Sequence, residues 1–249
     1  MLSKSQISFI RSLHQKKYRK EQGLFLVEGL KSITEFFASS YVIDALYLTD
    51  PAAAKVLKIP HKINVTEIGT ADLQRISALQ TPQDALAVLR IPEKLPVKKA
   101  SLKNSFTLVL DGVQDPGNLG TIIRTADWFG FSRIICSNDT VEAWNPKTVQ
   151  ATMGSLARIT IDYTELPELL EGADLPVYGT LLDGDSIFET NWTNEGLIVL
   201  GSEGRGISEA VKPHISRAIT IPRFGAAESL NVAVAAAICC TEIRRTQKK

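Results

Sequence analysis

Cysteine and histidine are scarce, with three of each in 249 residues. Cys136, Cys239 and Cys240 are odd in number and have no C-x-x-C spacing, which excludes a disulfide framework and a zinc knuckle. They are expected to be reduced core residues. His14, His61 and His214 lie far apart without ligand spacing, so no metal centre is expected. The longest unbroken apolar run, residues 232–240, falls far short of the roughly 20 residues a membrane span requires. The opening MLSKSQISFIRSLHQ has neither the apolar core nor the small-residue cleavage site of a secretory leader. A cytoplasmic protein with no membrane partner is therefore expected. Excess charge is missing too: 28 Lys and Arg against 27 Asp and Glu leave a net charge of +1, so bulk charge does not argue for a nucleic-acid partner.

What is present is enough apolar residue, 44%, for a packed core. The basic residues are clustered rather than numerous. Lys4, Arg11, Lys16, Lys17, Arg19 and Lys20 occupy the first twenty positions with no acid among them, and the tail carries Arg244, Arg245, Lys248 and Lys249. Each cluster is either a phosphate-contacting patch or a solvated face.

Apolar β-rich runs alternate with helical patterns along the whole chain, which is the pattern of an α/β protein. LFLVEG, a helix near residues 30–38, VIDALYL, a short helix, KINVTEI, a helix near 71–79 and ALAVLR come first. The segment IPEKLPVKKASLKNS, residues 91–105, has two prolines and little periodicity and reads as a linker. The resulting division is a domain over 1–95, a linker over 96–104 and a domain over 105–249. The second domain runs FTLVLD, a helix near 119–129, RIICS, a helix near 146–153, ITID, a helix near 165–170 and PVYGTLL. GLIVLGS, a helix near 208–212, AITIP and a last helix from about Ser229 complete it. Continuous apolar strands of this kind predict a parallel sheet covered on both faces.

Three segments have the residues for chemistry. In DGVQDPGNLGTIIRTADWFGF, residues 111–131, a strand ends in a turn and a helix begins, the place where open α/β sheets bind ligands. Asn118 is there either as a helix cap or as a site residue. Arg124, flanked by Ile122, Ile123 and Ala126, either snorkels to water or reaches into a polar site. In GLIVLGSEGRGIS, residues 196–208, a strand enters a loop with Gly201, Gly204 and Gly206, spaced G-x-x-G-x-G. That spacing matches neither the dinucleotide fingerprint nor the P-loop. It serves either as a tight connection with Glu203 solvated or as a loop whose amides approach a ligand. In ITIPRFGAAESLNVAVAAAICC, residues 219–240, a polar loop leads into a helix that is apolar on nearly every side and therefore buried or at an oligomer interface. Glu228 or Ser229 is its candidate cap, and the Asn231 amide beside the apolar run must find partners.

Taken together and in this order, the three segments resemble the motifs of the SpoU, or TrmH-like, branch of the SPOUT RNA 2′-O-ribose methyltransferases. The matches are N-x-G-x-x-x-R-T-A at 118–126, L-G-S-E-G-x-G at 200–206 and I-P-x-x-G-x-x-E-S-L-N-V at 221–232. Residues 1–95 more weakly resemble the L30e-like RNA-binding domain that often precedes it. The resemblance implies a parallel-sheet SPOUT domain with a deep trefoil knot, S-adenosylmethionine as cofactor and an obligate homodimer. Its implied cofactor residues are Thr180, Leu181, Leu200, Gly201, Ser202, Glu203, Ile221, Pro222, Ser229, Leu230 and Asn231. Asn118, Arg124, Glu203, Ser229 and Asn231 match the polar catalytic set, and Arg124's counterpart in the family completes the partner subunit's site. Lys16, Lys17, Arg19, Lys20 and Arg124 are the expected RNA contacts. Arg223 departs from the family, which often has an apolar residue there.

Ribosomal RNA is the expected substrate from the two-domain layout, with transfer RNA as the alternative. The rivals are a catalytically silent RNA-binding protein of the same fold and a small-molecule α/β enzyme. Because a guanidinium stays protonated in proteins, Arg124 is expected to grip the adjacent phosphate and the emerging alkoxide rather than to act as base. Ser229, Asn231 and Asn118 would orient groups around it, and Glu203 would either face the sulfonium or hold a neighbouring donor.

Overall fold

The computed structural model describes residues 1–50, 59–60 and 62–247. They form two compact units: Met1–Glu93 with Glu142–Ala157, and Lys94–Val141 with Arg158–Lys249. The short helix expected between VIDALYL and KINVTEI lies outside the described residues, as do His61, Lys248 and Lys249.

The first unit is built on a four-stranded sheet of β1 (Leu24–Glu28), β2 (Ile43–Leu48), β3 (Val65–Glu67) and β4 (Ala85–Arg90), in the order β1-β4-β2-β3. β4 pairs antiparallel with both β1 and β2, and β2 pairs parallel with β3. Two helices precede β1 where the alternation pattern assigned none: α1 (Lys4–Ser12) and α2 (Lys16–Gln22). The signal for α1 was present as a capping box. The Ser3 hydroxyl accepts from the Gln6 N–H, and the Gln6 side chain accepts from the Ser3 N–H at 2.9 Å. Its buried Ile7 and Ile10, three residues apart, join Leu13, Leu26, Leu73, Ile76 and Leu86 in one core. The helices α3 (Leu30–Phe37) and α4 (Thr70–Ile76) fall close to the expected spans.

This unit takes in a piece of chain from inside 105–249. Residues 142–157, with α5 (Pro146–Thr152), pack against β1. The join is electrostatic as well as apolar. Arg19, 1% exposed, donates to Glu142 through Nε at 2.6 Å and again through Nη2, and its Nη1 donates to the Leu13 carbonyl at 2.8 Å. Arg19 therefore corrects the expectation of a phosphate contact: its guanidinium is spent internally, and only Lys16, Lys17 and Lys20 of that group are exposed.

The second unit is a six-stranded sheet, parallel throughout. Its strands are β5 (Phe106–Asp111), β6 (Arg133–Ser137), β7 (Thr160–Thr164), β8 (Val177–Ser186), β9 (Gly196–Gly201) and β10 (Arg217–Thr220), in the order β10-β8-β9-β5-β6-β7. β5 and β9 at its centre are buried along almost their whole length, which is why they read as unbroken apolar runs. The helices are α6 (Pro116–Trp128), α7 (Leu166–Leu170) and α8 (Val232–Gln247). The expected linker is part of this unit, with Leu102 buried in its core and Val97 packed on it.

The helix expected near 208–212 does not form; the chain turns there and makes only a short 3-10 stretch, Lys212–His214. Pro213 lacks an N–H and disfavours α geometry at Lys212, so the apolar spacing cannot be used. The three cysteines are free and buried. Burial pushes the Cys239 thiol up to about 12 and raises Cys136 and Cys240 as well, so none is a reactive thiolate at neutral pH.

Candidate functional site

The sheet order sets where a ligand can sit. From β5 the chain winds outward to β6 and β7, then returns so that β9 lies on the other side of β5. β5 and β9 thus flank a topological switch point, where the loops leaving their carboxyl ends diverge and open a crevice.

Both loops supply a polar side chain to that crevice. After β5, Asp115 caps α6 by accepting from the Asn118 N–H at 2.8 Å. Asp115, not Asn118, is therefore the helix cap, and the Asn118 side chain is left free to reach across. Its Nδ2 donates to Glu203 Oε1 in the loop after β9. Its Oδ1 accepts from Asn231 Nδ2 at 2.9 Å. Asn231 in turn caps α8, its Oδ1 accepting from the N–H groups of Ala233 at 2.9 Å and Val234 at 3.3 Å. Asn231 is the observed cap where Glu228 or Ser229 was expected. A continuous relay runs from the α8 N-terminus through two amides to a carboxylate, with donor and acceptor assigned at every link. Glu203 accepts from Asn118, the contact that one of the two roles left open for it requires.

The glycine loop is tight because its backbone folds on itself. Ser202 and Gly206 exchange backbone hydrogen bonds of 3.1 and 2.9 Å. A Cβ on Gly201 would meet the Gly206 carbonyl carbon at 2.0 Å, and Gly206 has φ +66°, so both positions need glycine. Asp111, which the sequence reasoning passed over, pins this loop from the end of β5 by accepting from the Ser208 N–H at 2.7 Å. Its signal was a carboxylate closing an otherwise apolar strand.

The remaining predicted positions lie at the same edge. Thr180 and Leu181 sit where β8 leaves its ladder: Gly179 pairs with Ala218 and Asp185 with Ile219, so residues 180–184 bulge out. The Thr180 hydroxyl donates to the Val199 carbonyl at 3.0 Å. Leu200, Gly201 and Ser202 end β9, and Ile221 and Pro222, half-buried, follow β10. Ser229 and Leu230 are exposed. β10, β8 and β9 are adjacent and parallel, so all these segments emerge from neighbouring strands at one edge of the sheet.

Arg124 is not drawn into the relay. It is exposed on α6, and among the described residues it makes no hydrogen bond or ion pair. Six residues beyond Asn118 on a helix, it faces about 120° away from it. An open groove of about 440 Å³ runs along α6 and α8, lined by Asn118, Thr121, Thr125, Val234, Ala237 and Ile238 among others. Lys16, Lys17 and Lys20 are exposed on α2 of the first unit. Among the described residues no group of three or more His, Cys, Asp or Glu converges on a metal-sized site.

The donor set fits S-adenosylmethionine. Half-buried Leu181, Ile221 and Pro222 offer an apolar wall for an adenine ring, and residues 223–230, exposed throughout, form an open loop beside it. Glu203, a carboxylate, is compatible with a cationic sulfonium nearby.

The position of Asn231 within the relay gives a test that separates cap from donor. Asn231→Asp keeps a capping oxygen at the α8 N-terminus but has no N–H to give Asn118. It is expected to match the parent in thermal unfolding within about 0.5 kcal/mol, while Asn231→Ala loses about 1 kcal/mol with the cap. Both should lose activity to a similar degree. Full activity in the Asp variant would show that the relay is structural only.

Comparison with known proteins places these residues in context. Residues 105–241 match the SpoU rRNA Methylase family model, and residues 4–87 match the MRM3-like substrate binding domain. Over 242 residues the chain is 32% identical to the 23S rRNA (guanosine(2553)-2′-O)-methyltransferase RlmP of Bacillus subtilis, covering 94% of each chain. A solved structure from Porphyromonas gingivalis assigned to the TrmH family of RNA methyltransferases superposes with a TM-score of 0.91 at 42% identity, covering 99% of both chains. An AdoMet-bound rRNA methyltransferase from Sinorhizobium meliloti superposes at 0.88 and 29% identity, covering 99% of this chain and 96% of that one. With its family match spanning more than half its length and the three motifs meeting at one switch point, the chain belongs to the SpoU rRNA methylase family.

Proposed function

We propose that this chain transfers a methyl group from S-adenosylmethionine to a ribose 2′-hydroxyl of ribosomal RNA. The observation that carries the reading is the Asn118–Glu203–Asn231 relay at the β5/β9 switch point. Ribosomal RNA is favoured over transfer RNA because RlmP of Bacillus subtilis, similar along nearly the whole chain, is named for 23S rRNA. A cytoplasmic location agrees with that substrate.

When bound, the cofactor supplies an electrophilic methyl group on a sulfonium. The chain's own part is alignment. Holding two reactants in line is worth up to about 7–11 kcal/mol, whereas a general base adds about 10²- to 10⁴-fold, so a rigid relay and a shaped pocket do more here than proton transfer. Leu200, Gly201, Ser202, Ile221, Pro222, Leu230 and the bulge at Thr180–Leu181 would hold the cofactor. Asn118, Asn231 and Ser229 would orient the acceptor, with Glu203 fixing Asn118. Arg124, always charged, would clamp the neighbouring phosphate and the developing alkoxide.

Arg124 faces away from the relay of its own chain, so a second protomer is the natural user of its guanidinium. The α6/α8 groove, with Val234 and the nearby Phe188 about half exposed, is the surface on which that protomer would dock as a homodimer. The knotted crossing expected for the family would then bring the 180–184, 201–206 and 221–231 segments around one cofactor. Lys16, Lys17 and Lys20 would hold RNA phosphates from the first unit.

Labelled methyl transfer to an unmodified 23S rRNA transcript, followed by alkaline hydrolysis, tests the reaction. A 2′-O-methyl group blocks cleavage at its own linkage, so the label is expected in alkali-stable dinucleotides. Label released only as mononucleotides would overturn ribose methylation.

A further inference from the structure

We infer that Phe224 is a substrate-positioning residue whose ring forms a stacking platform for a nucleobase of the RNA next to the reacting ribose. This rests on the RNA methyltransferase reading above. A single exposed apolar side chain needs no explanation by itself. Three features set Phe224 apart.

The first is exposure combined with location. Phe224 is 96% exposed, yet it lies in the short loop between β10 and α8 that also carries Ser229 and Asn231. The loop is not a loose strand there. Arg223 Nη1 donates to the Ala227 carbonyl at 3.3 Å, turning the backbone around Phe224, and the far end is fastened by the Asn231 cap and its bond to Asn118. The ring is thus presented by a turn closed on itself, in a loop fastened to the site at its Asn231 end.

The second is its neighbour. Arg223 stands where the resemblance to the SpoU motif leads one to expect an apolar residue, so in this chain an exposed arginine immediately precedes the phenylalanine in sequence. Single-stranded RNA is held by that pair of chemistries: unstacked bases lie on aromatic faces, and guanidinium groups meet the phosphates between them. A ribose hydroxyl can be presented to a buried pocket only when its nucleotide leaves the regular stack, and an aromatic face accepts any base that does so.

The third is what does not cover it. Phe188, the other exposed phenylalanine near the site, lines the α6/α8 groove and is accounted for by a docking protomer; Phe224 does not line that groove. An RNA base is the occupant that agrees with all three.

The test compares Phe224→Ala and Phe224→Trp with the parent protein on the 23S rRNA transcript. RNA affinity is also measured directly by filter binding, so that a parent protein inactive in methyl transfer, which defeats the proposed function, is distinguished from failure of this inference. Phe224→Ala is expected to raise KM and Kd for the transcript about tenfold, in keeping with the usual loss per stacked base, with kcat at saturating RNA nearly preserved. Phe224→Trp restores both constants. An unchanged Kd in the Ala variant overturns the inference. So does a loss of S-adenosylmethionine affinity, which would put the ring over the cofactor, or a shift to monomer in sedimentation, which would put it in the dimer contact.

Discussion

Arg124→Lys is expected to lower kcat by about 10²–10³-fold, the usual consequence of removing one well-placed donor to a developing oxyanion. Lysine keeps the charge but not the planar fork that grips a phosphate and a second oxygen together. Thermal unfolding should move by less than about 0.5 kcal/mol, because Arg124 is exposed and, among the described residues, makes no hydrogen bond or ion pair. Cofactor affinity should be unchanged for the same reason. Mixed protomers carry the test further. When Arg124→Lys and Asn231→Ala chains are co-expressed and the heterodimer is purified, one of its two sites combines an intact arginine with an intact relay if Arg124 serves the neighbouring protomer. Recovery of part of the activity is then the expected result. A heterodimer as inactive as its parents would put Arg124 in the site of its own chain and sink the composite arrangement.

Glu142→Ala is expected to cost about 3–5 kcal/mol, since it leaves the Arg19 guanidinium buried with its main partner gone. For a chain of this size each kcal/mol is worth about 2–4 °C, so the midpoint should fall by roughly 6–20 °C. The cause is an unpaired buried charge rather than a lost attraction. Removing both charges at once, as Arg19→Met with Glu142→Leu, should therefore recover most of the loss. Calorimetry on the two variants separates these terms. If the double variant melts as low as Glu142→Ala, packing around residue 142 and not the orphaned guanidinium is what the single change damages.

Much of this fold was legible because its central strands are apolar along their length. FTLVLD and GLIVLG become β5 and β9 with almost no shift in their bounds. The misses have local causes. α1 was signalled by Ser3 and Gln6 but lies ahead of the first apolar run, where alternation gives no clue. A helix was expected near 208–212, where the chain instead turns ahead of Pro213. In the site, Asn118, Glu203 and Asn231 could be named from three separated motifs, but not their mutual hydrogen bonds. Those depend on β9 returning beside β5, a long-range pairing that neither segment encodes alone. Arg19 shows the opposite failure. Within a run of lysines it looks like one more surface cation, and only Glu142, far along the chain, reveals that it is buried. Asp111 was missed for a similar reason, since its partner is a backbone N–H distant in sequence.

The first unit, finally, is stitched from two lengths of chain, 1–93 and 142–157, with part of the parallel sheet's sequence between them. Translation delivers those lengths in order. When residue 93 leaves the ribosome, the face of β1 that receives α5 is still bare, and Arg19 has no carboxylate to meet. About 60 further residues must follow, which takes roughly 3–13 s at 5–20 residues per second. For that interval the nascent first unit is incomplete. It matures only after β5 and β6 have been made, while β7 to β10 and α8 are still to come, so the chain of the first unit is complete before that of the second.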